Sequence, residues 1–265
     1  MQRFRSTMTA VTVVTLAAAG VASITPAEAS TGRAGAFRST STLHTASPAK
    51  RAHPHHPPAT RFTHGRVDNE WFPLRPGTRL VYRGNDEGVP ATDIFIVTYK
   101  TKVVDGVVCR QVFDRVVKHG KVRERTVDWY AQTERGTVWY FGERTATLDR
   151  NGQVKSRDGS FQSGRNGAEA GIFMPAHPRV GYAATQEFYP GHAQDHFRVL
   201  SLKAPAVSPA VATHHAMLSR ETTPLEPGVV DHKKYVRDIG TVSENTVRGG
   251  HETYRLMSIR HIPRR

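Results

Sequence analysis

Cysteine occurs once in the 265 residues, at Cys109, which excludes an intramolecular disulfide framework and any paired-cysteine zinc or redox motif. Within the run Val107-Val108-Cys109 that thiol reads as a small buried hydrophobe, with Arg110 as its only basic neighbour. Sustained helical periodicity is also missing, so helical bundles are excluded as a fold class. Several catalytic signatures are absent too. Ser160 and Ser163 both miss the Gly-x-Ser-x-Gly elbow, and His251-Glu252 reaches Arg255 where a zinc pair needs a second histidine. Gly164, Gly167 and Gly171 lack the spacing and the following lysine or helix of a phosphate loop. Carboxylates are in deficit, 23 against 37 lysines and arginines, a formal charge of +14 that favours anionic partners and says nothing about fold. Apolar residues make up only 38%, but they are concentrated in one part of the chain, as expected for a packed core with solvated extensions.

The first extension has the order of an export signal. Arg3 and Arg5 precede an apolar run at 8–22, and Ala27-Glu28-Ala29 offers small residues for cleavage after Ala29. That run is too short to span a bilayer, and no cysteine follows it for lipid attachment. Phe4 separates the two arginines, which favours the general secretory route over a twin-arginine one. Residues 30–66 contain no acid. Arg33, Arg38, Lys50, Arg51, Arg61 and Arg66 lie there among serine, threonine and proline, so the segment is expected to be a disordered basic tether. Its His53-Pro54-His55-His56-Pro57-Pro58 run reads as an extended spacer whose prolines splay the imidazoles. A weak, salt-sensitive attachment to an anionic wall polymer or lipid surface is the partner such a tether suggests.

From Trp71 onward, short alternating or apolar runs are separated by glycine and proline, which predicts strands at 79–83, 92–104, 107–117, 122–132, 136–142, 185–189, 197–202, 214–221, 229–236, 241–246 and 252–259. Asp105-Gly106 and His119-Gly120 are two-residue hairpin signals that join three of these strands in a meander. Internal matches then suggest a duplication. Pro73 and Gly77 answer to Pro175 and Gly181, and Asp128-Trp129-Tyr130-Ala131 before Gly136-Thr137-Val138 answers to Lys233-Lys234-Tyr235-Val236 before Gly240-Thr241-Val242. The expected fold is all-β, with antiparallel sheets from two tandem repeats packed as one domain in a curved sheet or open barrel. The boundaries are 1–29 signal, 30–66 tether, 67–174 first repeat with its connecting loop, and 175–265 second repeat. Residues 145–173, rich in glycine, serine and asparagine, read as the connection and as a lid or Ω-type loop.

Several of these segments resemble a family of exported bacterial proteins and lipoproteins of unknown function. The resemblance is carried by Trp71-Phe72-Pro73-Leu74-Arg75-Pro76-Gly77-Thr78, by Asp128-Trp129-Tyr130-Ala131-Gln132 with Gly136 through Glu143, and by Gly171-Ile172-Phe173-Met174-Pro175. It continues through Gln186-Glu187-Phe188-Tyr189-Pro190-Gly191 and Thr223 through Val230, covering 67–259. It implies export and carries no catalytic assignment. Members of the family are often acidic near the segment where this chain has His192, Gln194, Asp195 and His196, and the chain has Phe161 where tryptophan is usual.

Trp129, Tyr130, Trp139, Tyr140 and Phe141 form the densest aromatic cluster. On adjacent strands they alternate faces, filling a core on one side and offering a platform on the other. Glu143 and Glu187 are the carboxylates nearest to aromatics. Trp129, Tyr130, Trp139, Glu143 and Glu187 are accordingly the candidate ligand-binding residues, and His192, Asp195 and His196 the candidate metal cluster. A strand separates those two histidines by about 13 Å, which favours solvent-facing imidazoles over a shared ion. The sequence asks for no cofactor. The function it suggests is a secreted, non-enzymatic binding protein holding a lipid, glycan fragment or protein segment in a β-sheet concavity. The alternatives are an extracellular glycosidase-like hydrolase using Glu143, Glu187 or Asp195, or a passive wall-associated structural protein. Scattered acids and export both argue against nucleic acid.

Overall fold

The computed structural model describes residues 55–264; the segment expected to be an export signal and residues 30–54 of the expected tether lie outside the described residues. Alternating side chains commit each long run to one buried and one solvated face. The strands that result are β1 (Thr78–Asp86), β2 (Val89–Val104), β3 (Val107–Lys118), β4 (Lys121–Gln132), β5 (Val138–Leu148), β6 (Val154–Ser156), β7 (Phe161–Gln162), β8 (Glu169–Met174), β9 (Ala183–Thr185), β10 (Glu187–Phe188), β11 (His196–Ser208), β12 (Val211–Thr222), β13 (Val230–Val236), β14 (Gly240–Arg248) and β15 (Thr253–His261). Every strand expected from the sequence has a counterpart among them. Both hairpin signals are used as expected: Asp105 and Gly106 take φ of 49° and 75°, His119 and Gly120 of 51° and 72°, the doubly positive geometry that matches strand twist.

All pairings are antiparallel, and the ladder runs β10-β8-β5-β4-β3-β2-β1-β15-β14-β13-β12-β11-β9. Its two ends lie on one stretch of chain. β9 pairs with β11, β10 pairs with β8, and Gln186 alone separates β9 from β10. The sheet therefore curls into a nearly closed barrel, which leaves little free edge. At the opposite seam, β1 pairs with β15 from Thr78↔His261 to Asn85↔Thr253.

Residues 145–173 depart from the expected loop. β5 continues to Leu148, β6 and β7 fold back onto it, and β8 extends the main ladder. Gly142 makes the fold-back possible. It sits at φ 125°, and a β-carbon there would lie 2.3 Å from the Phe161 carbonyl oxygen.

The interior is filled by Leu80, Tyr82, Phe95, Val112, Tyr130, Phe173, Phe197, Met217, Tyr235 and Leu256, among others. Trp71, Phe72 and Leu74 enter it from the segment before β1 and act as a plug. That segment is fixed by side chains. Gln132 Oε1 accepts from the Asp68 and Asn69 amides at 2.8 and 2.7 Å, and Asn69 Oδ1 accepts from the Trp71 and Phe72 amides at 2.9 and 3.1 Å. Phe72 then reaches Phe173 with ring centres 4.3 Å apart.

A second cluster of Phe62, Val104, Val107, Cys109, Trp129, Ala131, Trp139 and Phe141 lies on the outer face of β3, β4, β5 and their neighbours. It is covered by residues 55–66, the end of the segment expected to be disordered. Phe62 is buried there, and the His56 ring lies 5.0 Å from that of Phe141 while its Nε2 is 3.1 Å from Asp105 Oδ2. Tether composition concealed this strap because one phenylalanine and a short 3-10 turn at Ala59–Arg61 supply the docking.

Candidate functional site

Alternation that puts apolar residues inside the barrel also puts acids there. On β2, Asp93 lies between inward Ala91 and Phe95, and on β3, Asp114 lies between inward Val112 and Val116. β4 adds Glu124 and Asp128, β5 adds Glu143, and β12, β13 and β14 add Glu221, Asp231 and Glu244, all buried. Tyrosines from β1, β4, β5, β13 and β15 are interleaved with them. The one buried base among the described residues is Lys233.

Geometry dictates how these acids are tolerated. The Tyr140 hydroxyl lies 2.9 Å from Asp128 Oδ1 and 3.1 Å from Glu143 Oε2. One phenol proton cannot serve both acceptors, so one of the two carboxyls carries a proton and donates it. Burial, with Asp114 adding to it, pushes the Asp128 carboxyl well above the usual range. Asp93 faces the same interior from β2. Burial is the main reason that Asp93 rises from 3.8 to about 7, opposed by its interaction with Asp114 and reinforced by Glu124 and Glu244. The second half of the chain uses a cation instead. Lys233 Nζ lies 2.6 Å from Glu221 Oε2 and 3.5 Å from Glu244 Oε1. Burial alone would lower its pKa, but the two glutamates outweigh that and hold the ammonium well above its ordinary value. Ser219 and Tyr235 donate to Glu221 Oε1 at 3.0 and 3.1 Å.

A stability profile follows. The folded state holds the Asp93 proton more tightly than the unfolded chain, so this group stabilises fully below about pH 4, and its contribution is lost as pH rises through about 7. The difference in unfolding free energy between wild type and Asp93→Asn should change by a few kcal/mol between pH 4 and 8. Denaturant titrations at both pH values read it; parallel profiles would contradict the raised Asp93 carboxyl.

The residues singled out in the sequence are divided between two faces. Tyr130, Glu143 and Glu187 face the interior, all with 1% exposure or less, and Tyr130 stacks on Tyr140 at 4.7 Å. Trp129 and Trp139 face outward under the strap, where Lys102 Nζ sits 3.4 Å above the Trp129 ring. His192 is exposed and stacked on Tyr189 at 4.2 Å, Asp195 is buried, and His196 is exposed beside Thr185 Oγ1 at 3.0 Å. Among the described residues no group of three His, Cys, Asp or Glu side chains is arranged to hold a metal ion. Sequence reasoning missed Asp93, Asp114, Asp128, Glu221, Lys233 and Glu244. Their signal was an ionisable residue at an inward position of an alternating strand.

At the mouth beside the plug, a narrow cleft is lined by Phe72, Pro73, Leu74, Tyr82, Phe95 and Thr241, with Leu80, Ile239 and Gly240 completing it. Its empty space, about 220 Å³ out to open solvent, falls below the ~300–1,000 Å³ of typical small-molecule sites. The plug is latched across this mouth. Arg237 pairs with Glu70 and lies 4.6 Å over the Trp71 ring, the Asp238 amide donates to the Glu70 carbonyl at 2.6 Å, and Arg75 lies 3.8 Å from Asp238.

No protein-family model and no curated protein matches the chain. Two solved structures are similar to it. A Bacteroides fragilis protein provisionally named an exported protein with a YmcC-like fold aligns at 11% identity with a TM-score of 0.43, over 72% of this chain and 99% of its own. A Parabacteroides distasonis protein provisionally named a lipoprotein aligns at 10% identity with a TM-score of 0.40, over 74% of this chain and 100% of its own.

Proposed function

We propose that the protein is an exported, non-enzymatic binding protein of the cell envelope, and that it takes part of a lipid, glycan fragment or protein segment in the cleft at the barrel mouth when the plug is displaced. The observation that carries this reading is the latched mouth. An aromatic-lined cleft ends at a segment held by exposed ion pairs, Glu70 with Arg237 and Arg75 with Asp238, which are weak enough to open and reclose. The hydrolase alternative has less support. Asp128 and Glu143 share the Tyr140 hydroxyl inside a packed interior, so the phenol fills the space where a scissile bond would lie. The export signal expected at 1–29 and the basic tether expected at 30–66 support work outside the cell, with the tether giving a salt-sensitive attachment to an anionic polymer or lipid surface.

Native mass spectrometry of the secreted protein from its own host, with extraction of copurifying lipid and glycan, tests the binding reading. Wild type should carry a stoichiometric adduct, and a Glu70→Ala, Arg237→Ala double variant should lose most of it on dilution with an unchanged melting temperature. Wild type and variant that are equally free of adduct would overturn it.

A further inference from the structure

Charge is sorted across the barrel wall. On β1–β5 and β11–β15 every carboxylate is buried, whereas every lysine and arginine except Lys233 remains at least partly exposed. The outer wall is consequently basic with no acid of its own strands to neutralise it. Registry makes the arrangement sharper. Arginine lies directly opposite arginine at Arg79↔Arg260 and Arg83↔Arg255 between β1 and β15, at Arg115↔Arg125 between β3 and β4, and at Arg198↔Arg220 between β11 and β12. Like charges directly across a ladder repel and are destabilising. None of these guanidinium groups has an ion-pair partner among the described residues.

The pairs are linked by register. Arg220 continues to His232, Asn245 and Thr253, and the adjacent row runs through Lys234, Ser243, Arg255 and Arg83. Partial burial first, then Arg220 and Lys234, lower the pKa of His232, as a positive local field requires.

We propose that this outer wall is a binding face for a linear phosphate-bearing polyanion, which the arginine pairs grip one phosphate at a time. Directly opposite strand residues lie about 5 Å apart at Cα, so two planar guanidinium forks can take the two free oxygens of one phosphate. The pairs follow a curved wall around several strands. A flexible chain can wrap that curve, whereas a flat bilayer would touch one facet. The proposal does not depend on whether the interior carries a ligand.

The mature, full-length protein is titrated with linear inorganic polyphosphate, and with orthophosphate, polyglutamate and phosphatidylglycerol vesicles for comparison. Polyphosphate should bind, with log K falling linearly in log salt concentration, and orthophosphate at equal phosphorus should not. An Arg83→Gln, Arg255→Gln variant should bind at least tenfold more weakly with a shallower salt slope. It should melt no lower than wild type, since a repulsion is removed. An Arg150→Gln, Arg157→Gln control, exposed bases outside these strands, should change binding less than threefold. Equal losses in the two variants, tighter binding to polyglutamate, or vesicle binding that exceeds polyphosphate binding would each overturn the proposal.

Discussion

Replacing Lys233 by alanine is expected to destabilise the protein by about 3–5 kcal/mol, the usual consequence of breaking a buried ion pair from one side. Lys233 is fully buried and is the cation facing Glu221 and Glu244. Without it, two carboxyls that are 3% exposed stand together in an apolar interior, and both must take up protons to stay there. The loss should therefore be larger at pH 8 than at pH 5. A Lys233→Met, Glu221→Gln, Glu244→Gln combination should recover most of the stability, because the charge is removed together with its partners. Denaturant unfolding of the single and triple variants measures both effects. A single variant as stable as wild type would contradict the assigned triad.

Gly84→Ala should disrupt folding more severely, with a loss above about 4–5 kcal/mol or no soluble product. A β-carbon at this position would lie 1.6 Å from the Thr253 carbonyl oxygen and 2.9 Å from the Tyr254 Cα, both backbone atoms of the facing strand. Neither atom can yield without separating β1 from β15, the pairing that closes one seam of the barrel. The other seam has the same requirement at Gly171, where a β-carbon would meet the Gln186 carbonyl oxygen at 2.2 Å. Circular dichroism and limited proteolysis of Gly84→Ala should report a lost barrel. A soluble variant with wild-type melting would show that the seam tolerates a methyl group.

Alternation and turn chemistry made the long strands legible, because Asp105-Gly106 and His119-Gly120 state their own backbone geometry. Residues 145–173 were not legible, since β6 and β7 span two or three residues each and exist only by pairing with β5. Among the candidate site residues, the aromatics were visible as a cluster, and the strand period separated Tyr130 from Trp129 correctly. The acid layer escaped because a lone aspartate in an apolar strand reads as a surface residue until its neighbours across the sheet are known. The proposed duplication would make Val112↔Asp128 the counterpart of Ser219↔Lys233, Asp114 of Glu221, and Tyr130 of Tyr235. On that alignment one unit neutralises its interior with protonated carboxyls and the other with an ammonium.

The β1–β15 seam also sets an order of events. Among the described residues, the earliest strand finds one of its two neighbours only in the latest, so a nascent polypeptide must hold β1 half-paired while the intervening strands are made. Contacts of such sequence separation slow folding, and an unsatisfied strand edge invites association with other chains meanwhile. Arginines at Arg79 and Arg83 on that waiting strand supply repulsion between unfinished copies, so the same charges that await a polyanion can act as chaperone-like gatekeepers before the wall is complete.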